Sequence, residues 1–458
     1  MGAAAMSPQY RGQTQSTGPV FVLGMGGTGA ACARYFAARG VTAVFADTRV
    51  APPGLSAIRA ALPEVAIHAG QIPLALPTHI ARVVVSPGVD LHLPLLQDAR
   101  QRGIPVLSDI DLFVSEAAAP IVAITGSNGK STVTSMLGQM LAAAGLRVGV
   151  GGNLGTPALD LLAAGTQVYV LELSSFQLER SALINAAAAV LLNVSPDHLD
   201  IHGDMAGYTA AKARVYAHCK LAVLNRDEPA LRRLVPAGVP VTSFGLDAPG
   251  DGEFGLLQRA DGSWLARGDK ALLPVTELKL TGRHNISNAL AALALGAALG
   301  LEPATLVPGL RNYQPLPHRM AVIASRDGLA WIDDSKATNV GAAVASISSL
   351  DGPLVLIAGG DGKGASFTML ADALRGRECV AILLGRDREL LAAALQGVCP
   401  VSRVDDMSAA VRAARAVARP GWTVLLAPAC SSLDMYRDYG ARGDAFRTAV
   451  LGLQEAQA

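Results

Sequence analysis

Residues 121–132 read Ile-Val-Ala-Ile-Thr-Gly-Ser-Asn-Gly-Lys-Ser-Thr, a largely β-branched run followed by a glycine-containing turn and a lysine. The run predicts a buried strand over Ile121–Thr125, and the residues from Ser131 to about Ala144 favour a helix. Such a turn offers successive backbone N–H groups to an anion, while Lys130 supplies a charge and a hydroxyl can hold Mg²⁺. It is not a strict Walker A motif, because Ile124 stands where that motif has its first glycine. The segment nevertheless indicates an ATP-binding loop.

The same alternation of a short β-branched run with an alanine-rich helical stretch continues through most of the chain. This pattern is typical of parallel sheets joined by crossover helices, and therefore of an α/β protein. We expect three domains: an N-terminal Rossmann-like domain over residues 1–108, a central domain with a P-loop ATPase-type mixed sheet over 109–315, and a C-terminal Rossmann-like domain over 316–458. Within the central domain, Gly, Pro and Asp are dense over residues 236–280 and predict antiparallel hairpins.

Composition narrows the class of function. The chain has 38 Lys and Arg against 37 Asp and Glu, which argues against nucleic-acid binding through a bulk positive field. The longest uninterrupted run of apolar residues and glycine, 289–301, is well short of the ~20 residues that span a bilayer, so no membrane insertion is expected. Five scattered cysteines without a CxxC pair predict a reduced, cytoplasmic protein without a zinc site. A near-neutral chain without heptads is expected to be a monomer.

A second glycine turn lies near the N-terminus, where residues 24–29 read Gly-Met-Gly-Gly-Thr-Gly after the predicted strand Pro19–Leu23. Glycines at this spacing let a diphosphate approach the backbone and the start of the next helix. Asp47 closes the following predicted strand near the spacing of a ribose-binding acid. Taken alone, the turn favours a dinucleotide oxidoreductase. Close strand–helix packing and a different diphosphate ligand are the alternatives.

Polar side chains also follow predicted strands in the central and C-terminal parts. Glu172 directly follows one strand and His198 follows the next, so with Ser131 they could converge on Mg²⁺, which prefers oxygen ligands. Further along, Lys336, Lys363 and Ser432 end or follow strands. Cations and hydroxyl donors of this kind suit a small dicarboxylate.

Two separate phosphate-binding turns and a third, lysine-bearing segment exclude a plain dehydrogenase, and together they resemble the Mur ligases, ATP-dependent amide-forming enzymes of peptidoglycan synthesis. The resemblance runs from about Val20 to the end of the chain. Eight segments carry it in the family's order: TGSNGKST (125–132), GGNLGTP (151–157), LELSSFQLE (171–179), GRHNISNALAAL (282–293), LPHR (316–319), DDSKATN (333–339), GGDGKG (359–364) and PACSSLD (428–434).

The resemblance implies that the chain adds D-glutamate to UDP-N-acetylmuramoyl-L-alanine through an acyl phosphate, releasing ADP and phosphate. It implies ATP as co-substrate, two Mg²⁺ ions, and one domain each for the UDP-sugar, ATP and glutamate, in chain order. A folylpolyglutamate synthetase would share the ATP site but lack the N-terminal domain. A non-catalytic nucleotide-binding module would leave the lysines of the third domain unexplained. Residue types alone do not decide the chirality of the glutamate.

The resemblance also assigns individual residues to each ligand. The UDP-sugar set is Thr28, Asp47, Thr48, Arg49, Gly88, Asn153 and His198. The ATP set is Gly126, Ser127, Asn128, Gly129, Lys130, Ser131, Thr132, Asn285, Asn288, Arg319 and Asp334. The glutamate set is Lys336, Thr338, Lys363, Ser432, Leu433 and Tyr439.

Four residues are expected to be catalytic: Lys130, Glu172, His198 and Lys212. The metal set implied by the resemblance is Ser131, Glu172, His198 and Lys212. Lys212 matches a lysine that is carbamylated in this family, a change that turns a neutral amine and CO₂ into an anionic oxygen ligand. Two positions depart from the family pattern. Tyr439 stands where phenylalanine is common, and His202 falls in a segment where Arg followed by Tyr is expected.

Overall fold

The computed structural model describes residue 14 and residues 18–280, 282–326 and 328–455. Within these residues, three separate sheets follow one another along the chain. The expected α/β class, with two Rossmann-like domains on either side of a mixed-sheet domain, is confirmed. In the part of the chain that the structure describes, no helix has both the length and the apolar character needed to cross a membrane.

The N-terminal sheet is parallel, with strand order β3-β2-β1-β4-β5. Its strands are β1 (Val20–Leu23), β2 (Ala43–Asp47), β3 (Ala66–Ala69), β4 (Arg82–Val85) and β5 (Val106–Leu107). The helices of this part are α1 (Gly27–Ala37), α2 (Leu55–Ala61), α3 (Pro94–Gln101) and α4 (Asp109–Glu116). Because β1 pairs with both β2 and β4, the glycine turn after β1 lies at the middle of the sheet's carboxyl edge, where ligands bind in such folds.

The central sheet has the order β14-β13-β12-β11-β10-β9-β6-β8-β7. Its strands are β6 (Ile121–Thr125), β7 (Val148–Gly152), β8 (Val168–Glu172), β9 (Ala188–Leu191), β10 (Ala222–Asn225), β11 (Val241–Phe244), β12 (Phe254–Arg259), β13 (Gly262–Arg267) and β14 (Lys270–Pro274). Its helices are α5 (Lys130–Ala143), α6 (Ser175–Arg180), α7 (Leu199–His202), α8 (Met205–Ala213), α9 (Arg283–Ala298) and α10 (Pro303–Arg311). Strand β6 lies between β8 and β9, which brings the ends of these three strands together.

The C-terminal sheet has the order β15-β16-β20-β17-β18-β19, and only its edge strand β15 is antiparallel among the strands that the structure describes. Its strands are β15 (Ala321–Arg326), β16 (Leu329–Asp333), β17 (Leu354–Gly359), β18 (Cys379–Leu384), β19 (Val401–Arg403) and β20 (Thr423–Leu426). Its helices are α11 (Val340–Ser348), α12 (Thr368–Leu374), α13 (Arg388–Ala394), α14 (Met407–Val417) and α15 (Tyr439–Glu455).

Two local expectations differ from the structure. The hairpins predicted over 236–280 exist for β12, β13 and β14, but β11 runs parallel to β10, because a crossover through a short 3₁₀ helix connects these two strands. The sequence pattern predicts a helix over Asn288–Leu299, but helix α9 begins earlier, at Arg283, since Gly282 with φ +93° ends the preceding loop there.

The cores show how the domains are joined. One continuous cluster of buried apolar side chains contains residues of both the N-terminal and the central sheets, with Phe113 and Tyr169 in edge-to-face contact at 4.9 Å. The core clusters of the C-terminal sheet contain residues from 329 to 450. Because separating a shared apolar core exposes it to water, we expect the C-terminal domain to move more easily than the first two domains move relative to each other.

Candidate functional site

A cavity of about 430 Å³ lies between the central and C-terminal domains, at the carboxyl ends of β6 and β8. Residues of all the expected ligand classes line it. They are Ser127, Asn128, Gly129, Lys130, Ser131, Thr132, Asn153, Glu172, His198, Lys212, Asn285, Asn288, Arg319, Asp334, Lys336 and Thr338. The fold therefore brings into one cavity residues that are far apart in the chain.

The glycine-containing loop between β6 and α5, residues 126–129, is called the phosphate loop below. It is held in place by Asn193, which follows the end of β9. Asn193 accepts the backbone N–H of Asn128 on its side-chain oxygen at 2.9 Å and that of Ser127 on its carbonyl at 2.9 Å. Gly129 has φ +82°, and a Cβ there would lie 2.5 Å from Oδ1 of Asn288. Only glycine suits this position, because other residues rarely adopt that φ and the space is taken.

The Lys130 ammonium lies beneath this loop, where it donates to the carbonyls of Gly126 at 2.7 Å and Ser127 at 2.8 Å. Burial lowers its pKa, although the carboxylates of Glu172 and Asp197 act in the opposite direction. A partly buried ammonium surrounded by carbonyl oxygens and acids is a local positive charge where phosphates would bind.

Glu172, the last residue of β8, is 1% exposed. Its Oε1 accepts a hydrogen bond from Nδ2 of Asn153 at 2.6 Å. Burial raises the pKa of Glu172, but the Lys130 charge and the nearby Ser131 and Asn153 side chains more than offset this, so the net pKa is lowered. The carboxylate is therefore held in its charged form in the interior of the site.

Lys212, on α8, is 1% exposed, and its Nζ donates to the carbonyl of Gly126 at 2.8 Å. The ammonium also lies 4.6 Å from the centre of the Tyr208 ring. Burial, followed by the charge of Lys130, lowers its pKa well below the ordinary value. The amine is thus far more readily neutral than that of a surface lysine.

His198 enters the site in a left-handed conformation with φ +53°. Its ring packs edge-on against Phe176 at 5.0 Å, and burial lowers its pKa. His202 stacks on the same Phe176 ring at 5.3 Å, and its Nε2 lies 3.0 Å from the Ser175 hydroxyl. His202, which departs from the family pattern, therefore supports the Phe176 ring against which His198 packs.

The C-terminal domain contributes a cationic wall. The Lys336 ammonium lies 3.9 Å from the centre of the Tyr439 ring. Burial, aided by the charges of Arg319 and Lys130, lowers the pKa of Lys336 to about 8. Burial raises the pKa of Asp334 to about 6, while this carboxyl accepts a hydrogen bond from Ser346.

Several predicted residues lie outside the cavity lining. From the ATP and glutamate sets these are Gly126, Lys363, Ser432, Leu433 and Tyr439, and from the UDP-sugar set they are Thr28, Asp47, Thr48, Arg49 and Gly88. Ser432 is buried and Leu433 is 71% exposed. Lys363 forms an ion pair with Asp197 at 2.5 Å.

Asp47 in the N-terminal domain has partners of its own. One oxygen accepts the Met25 backbone N–H at 2.7 Å, and both oxygens accept donors from the Arg49 side chain at 2.9 and 2.7 Å. The bonds with Arg49, reinforced by that of Met25, lower the pKa of Asp47 to about 2 despite its partial burial. In this arrangement Asp47 braces the glycine turn and orients Arg49.

Sequence reasoning assigned no role to several residues that line the cavity. They are Ser174, Ser175, Phe176, Asp197, Tyr208, His284 and Asn339. Asn339 stands inside the segment 333–339 that carried the resemblance, and Asp197 follows a predicted strand. These positions are the signals that could have identified the two residues. His284 likewise stands inside the segment 282–293 that carried the resemblance, whereas Tyr208 has no such local signal.

In the part of the chain that the structure describes, no group of three or more His, Cys, Asp or Glu side chains is placed to hold a metal ion. The metal set implied by the resemblance contains two such side chains, Glu172 and His198, with a serine and a lysine. That set stays a prediction.

Models of known protein families match this chain in three segments, in the same order as its three sheets. The model of the MurD-like N-terminal domain of Mur ligases matches residues 18–108. The Mur ligase middle domain matches residues 124–296, and the Mur ligase glutamate ligase domain matches residues 318–430. These matches together cover most of the chain.

The chain is 47% identical over 437 residues to a UDP-N-acetylmuramoylalanine–D-glutamate ligase of Methylococcus capsulatus, with 95% of each chain covered. It is 49% identical over 434 residues to the enzyme of that name in Pseudomonas aeruginosa, covering 94% of this chain and 97% of the relative. Among solved structures, a UDP-N-acetylmuramate–alanine ligase of Thermotoga maritima matches with a TM-score of 0.61 at 17% identity, covering 96% of this chain and all of that one. The chain belongs to the Mur ligase family.

Proposed function

We propose that this chain is an ADP-forming ligase that adds D-glutamate to UDP-N-acetylmuramoyl-L-alanine in the synthesis of peptidoglycan precursors. The observation that carries the proposal is the cavity between two domains, with a phosphate loop and a buried acid on one wall and the cations Arg319 and Lys336 on the other. Close relatives over nearly the whole chain bear the name of this ligase.

The central wall suits the first chemical step, transfer of the ATP γ-phosphoryl group to the alanyl carboxylate. The backbone N–H groups of residues 126–132 and the Lys130 ammonium would hold the phosphates, and Asn285 and Asn288 would contact the nucleotide. Arg319 and Asp334 would close over ATP from the other domain. Positioning and charge stabilisation are most of what a protein contributes to phosphoryl transfer.

The donors at this wall fit a hard divalent cation. Glu172 is charged and buried, and its Oε2 accepts no hydrogen bond among the described residues. We propose that Ser131, Glu172, His198 and Lys212, the last as its carbamate, hold two Mg²⁺ ions. When bound, Mg²⁺ offsets negative charge on the phosphoryl oxygens.

The opposite wall suits the amine donor. Lys336 and Thr338 line it and would offer a cationic and a hydroxyl donor to the carboxylates of glutamate. We propose that Lys363, Ser432, Leu433 and Tyr439, which lie outside the cavity lining, complete the glutamate site. The glutamate amine would then attack the acyl phosphate, forming the amide bond and releasing phosphate. Closure of the C-terminal domain would bring the amine close to the acyl group and keep water away from it.

The N-terminal domain would hold the UDP-sugar. We propose that Thr28, Asp47, Thr48, Arg49 and Gly88 contact the nucleotide diphosphate part, and that Asn153 and His198 approach the sugar-linked peptide end. The domain limits at about 108 and 315, a monomeric state and a cytoplasmic location belong to the same proposal.

The direct test is phosphate release from ATP with UDP-N-acetylmuramoyl-L-alanine and one amino acid at a time. D-Glutamate, L-glutamate, D-aspartate and meso-diaminopimelate would each be supplied separately. We expect release that requires both the UDP-sugar and D-glutamate. A requirement for L-glutamate would correct the stereochemistry, and release that needs no amino acid would refute the proposal.

The lowered pKa of Lys336 predicts a pH dependence. A lysine is charged below its pKa, so a pKa of about 8 means that this ammonium is lost as the pH rises above that value. Since glutamate carboxylates need the charge, kcat/KM for D-glutamate should fall above about pH 8. Lys336→Arg keeps the charge at all these pH values and should move the fall to higher pH. Matching profiles for the two proteins would contradict this role.

Domain closure predicts a change of shape. We expect the radius of gyration, measured by small-angle X-ray scattering, to decrease when an ATP analogue and the UDP-sugar substrate are added together. The separate core of the C-terminal domain favours a hinge near residue 315 over one near 108. Superimposable scattering curves with and without ligands would count against closure.

A further inference from the structure

Asp197 is an acid of the cavity to which no role in the proposed reaction has been assigned. It lies in the loop between β9 and α7, and its side chain is 10% exposed. One oxygen pairs with the Lys363 ammonium at 2.5 Å, and the other accepts Nδ2 of Asn339 at 3.3 Å. Both partners belong to the C-terminal domain, so a single carboxylate of the central domain holds two side chains of its neighbour.

Asn339 extends this contact to the phosphate loop. Its Nδ2 also donates to Oδ1 of Asn128 at 3.1 Å, while its own Oδ1 accepts the backbone N–H of Ala342 at 2.9 Å and so caps α11. The start of that helix is close to the loop, since a Cβ on Gly341 would lie 3.2 Å from Asn128 Nδ2. Asp197, the phosphate loop and the first turn of α11 thus form one connected set.

Lys363 places its ammonium directly on the Asp197 carboxylate. It follows β17 in a left-handed conformation with φ +53°, and its side chain crosses to the other domain. An ammonium on a flexible four-carbon stem has three donors, so Asp197 can accept one and leave others for a ligand carboxylate. Without that acceptor, Lys363 would have to be ordered each time the ligand binds, which weakens affinity.

We propose that Asp197 is a positioning residue that fixes Lys363 for the carboxylate of the amine donor and links that donor site to the phosphate loop through Asn339. The inference rests on the proposed function, because it takes glutamate as the ligand of Lys363. Affinity for the amino acid would then depend on a side chain of the ATP-binding domain.

The first measurement is KM for D-glutamate in Asp197→Asn, which keeps the shape of the side chain and removes its charge. We expect KM to rise about tenfold, as for loss of one charge-assisted hydrogen bond. KM for UDP-N-acetylmuramoyl-L-alanine should stay within about twofold. Asp200→Asn is the matched control, because it removes a charge from the same segment at a position that is exposed. An unchanged KM for D-glutamate in Asp197→Asn would overturn the proposal.

A double-mutant cycle separates positioning from a merely structural effect. If Asp197 acts through Lys363, adding Asp197→Asn to Lys363→Met should raise KM for D-glutamate no further than Lys363→Met does alone. Independent, multiplying effects would refute the inference. Failure of the proposed function would give a different result: phosphate release by the wild-type protein would not depend on glutamate. That result would also refute the inference.

Discussion

Lys212→Ala should reduce kcat by about 10²- to 10³-fold, because loss of charge stabilisation worth a few kcal/mol changes a rate by that factor. Lys212 is 1% exposed and its pKa is lowered by burial, so its amine is available in the neutral form. The neutral amine can attack CO₂, forming a carbamate and releasing one proton. The product is an anion at a place that the unmodified lysine could occupy only as a cation or a neutral amine.

Chemical rescue gives this prediction its specificity. Short carboxylic acids should restore part of the activity of Lys212→Ala, since they can place a carboxylate in the space left by the side chain. A carbamate signal in ¹³C NMR after incubation with labelled bicarbonate should be present in the wild type and absent in the variant. Lys220→Ala, which removes an exposed lysine of the same domain, is the control. Full activity of Lys212→Ala without additives would remove the claim.

The sequence predicted the parts of the site that are local in the chain. The phosphate loop follows β6 directly and Glu172 ends β8, so a strand pattern and one adjacent motif were enough to place them at the same sheet edge. Strand β15 has no such signal. It lies at the edge of its sheet, Val322 is 65% exposed, and its apolar and polar residues do not alternate regularly. Edge strands are specified more by their neighbour than by their own pattern.

The contacts between the central and C-terminal domains could not be predicted from the sequence. Asp197 and Lys363 are 166 positions apart, and Asn339 and Asn128 are 211 apart. No periodicity or motif spacing encodes such pairs, since they depend on how two separately folded domains meet. The same limit applies to Asp47, whose spacing predicted a ligand-binding acid but whose engagement with Met25 and Arg49 appears only in three dimensions.

The site explains how a chain with nearly equal numbers of acidic and basic residues can bind anionic ligands. A chain with a formal net charge of +1 has to bind anionic ligands with local donors rather than with a general field. Lys130 and Lys336 are partly buried near Glu172, and burial lowers the pKa of each of them. Cations held in the interior at such a cost are strongly favoured to pair with an incoming anion, which is what selects small phosphates and carboxylates.

Lys130→Met should therefore abolish most of the activity, with kcat reduced by about 10³-fold, the upper range for removal of one charged donor from a transition state. The methionine keeps most of the length of the side chain but cannot replace the bonds to the Gly126 and Ser127 carbonyls.

The Lys130 charge also counteracts the effect of burial on Glu172, so the variant should raise the pKa of that carboxyl and weaken its capacity to hold a cation. Isothermal titration calorimetry should show weaker binding of an ATP analogue and a weaker dependence of that binding on Mg²⁺. Lys270→Met removes an exposed lysine from β14 and should behave as wild type in both measurements. If Lys130→Met retained kcat within about tenfold of wild type, the buried ammonium would be a structural support of the loop, and charge stabilisation would have to come from the other side of the cavity.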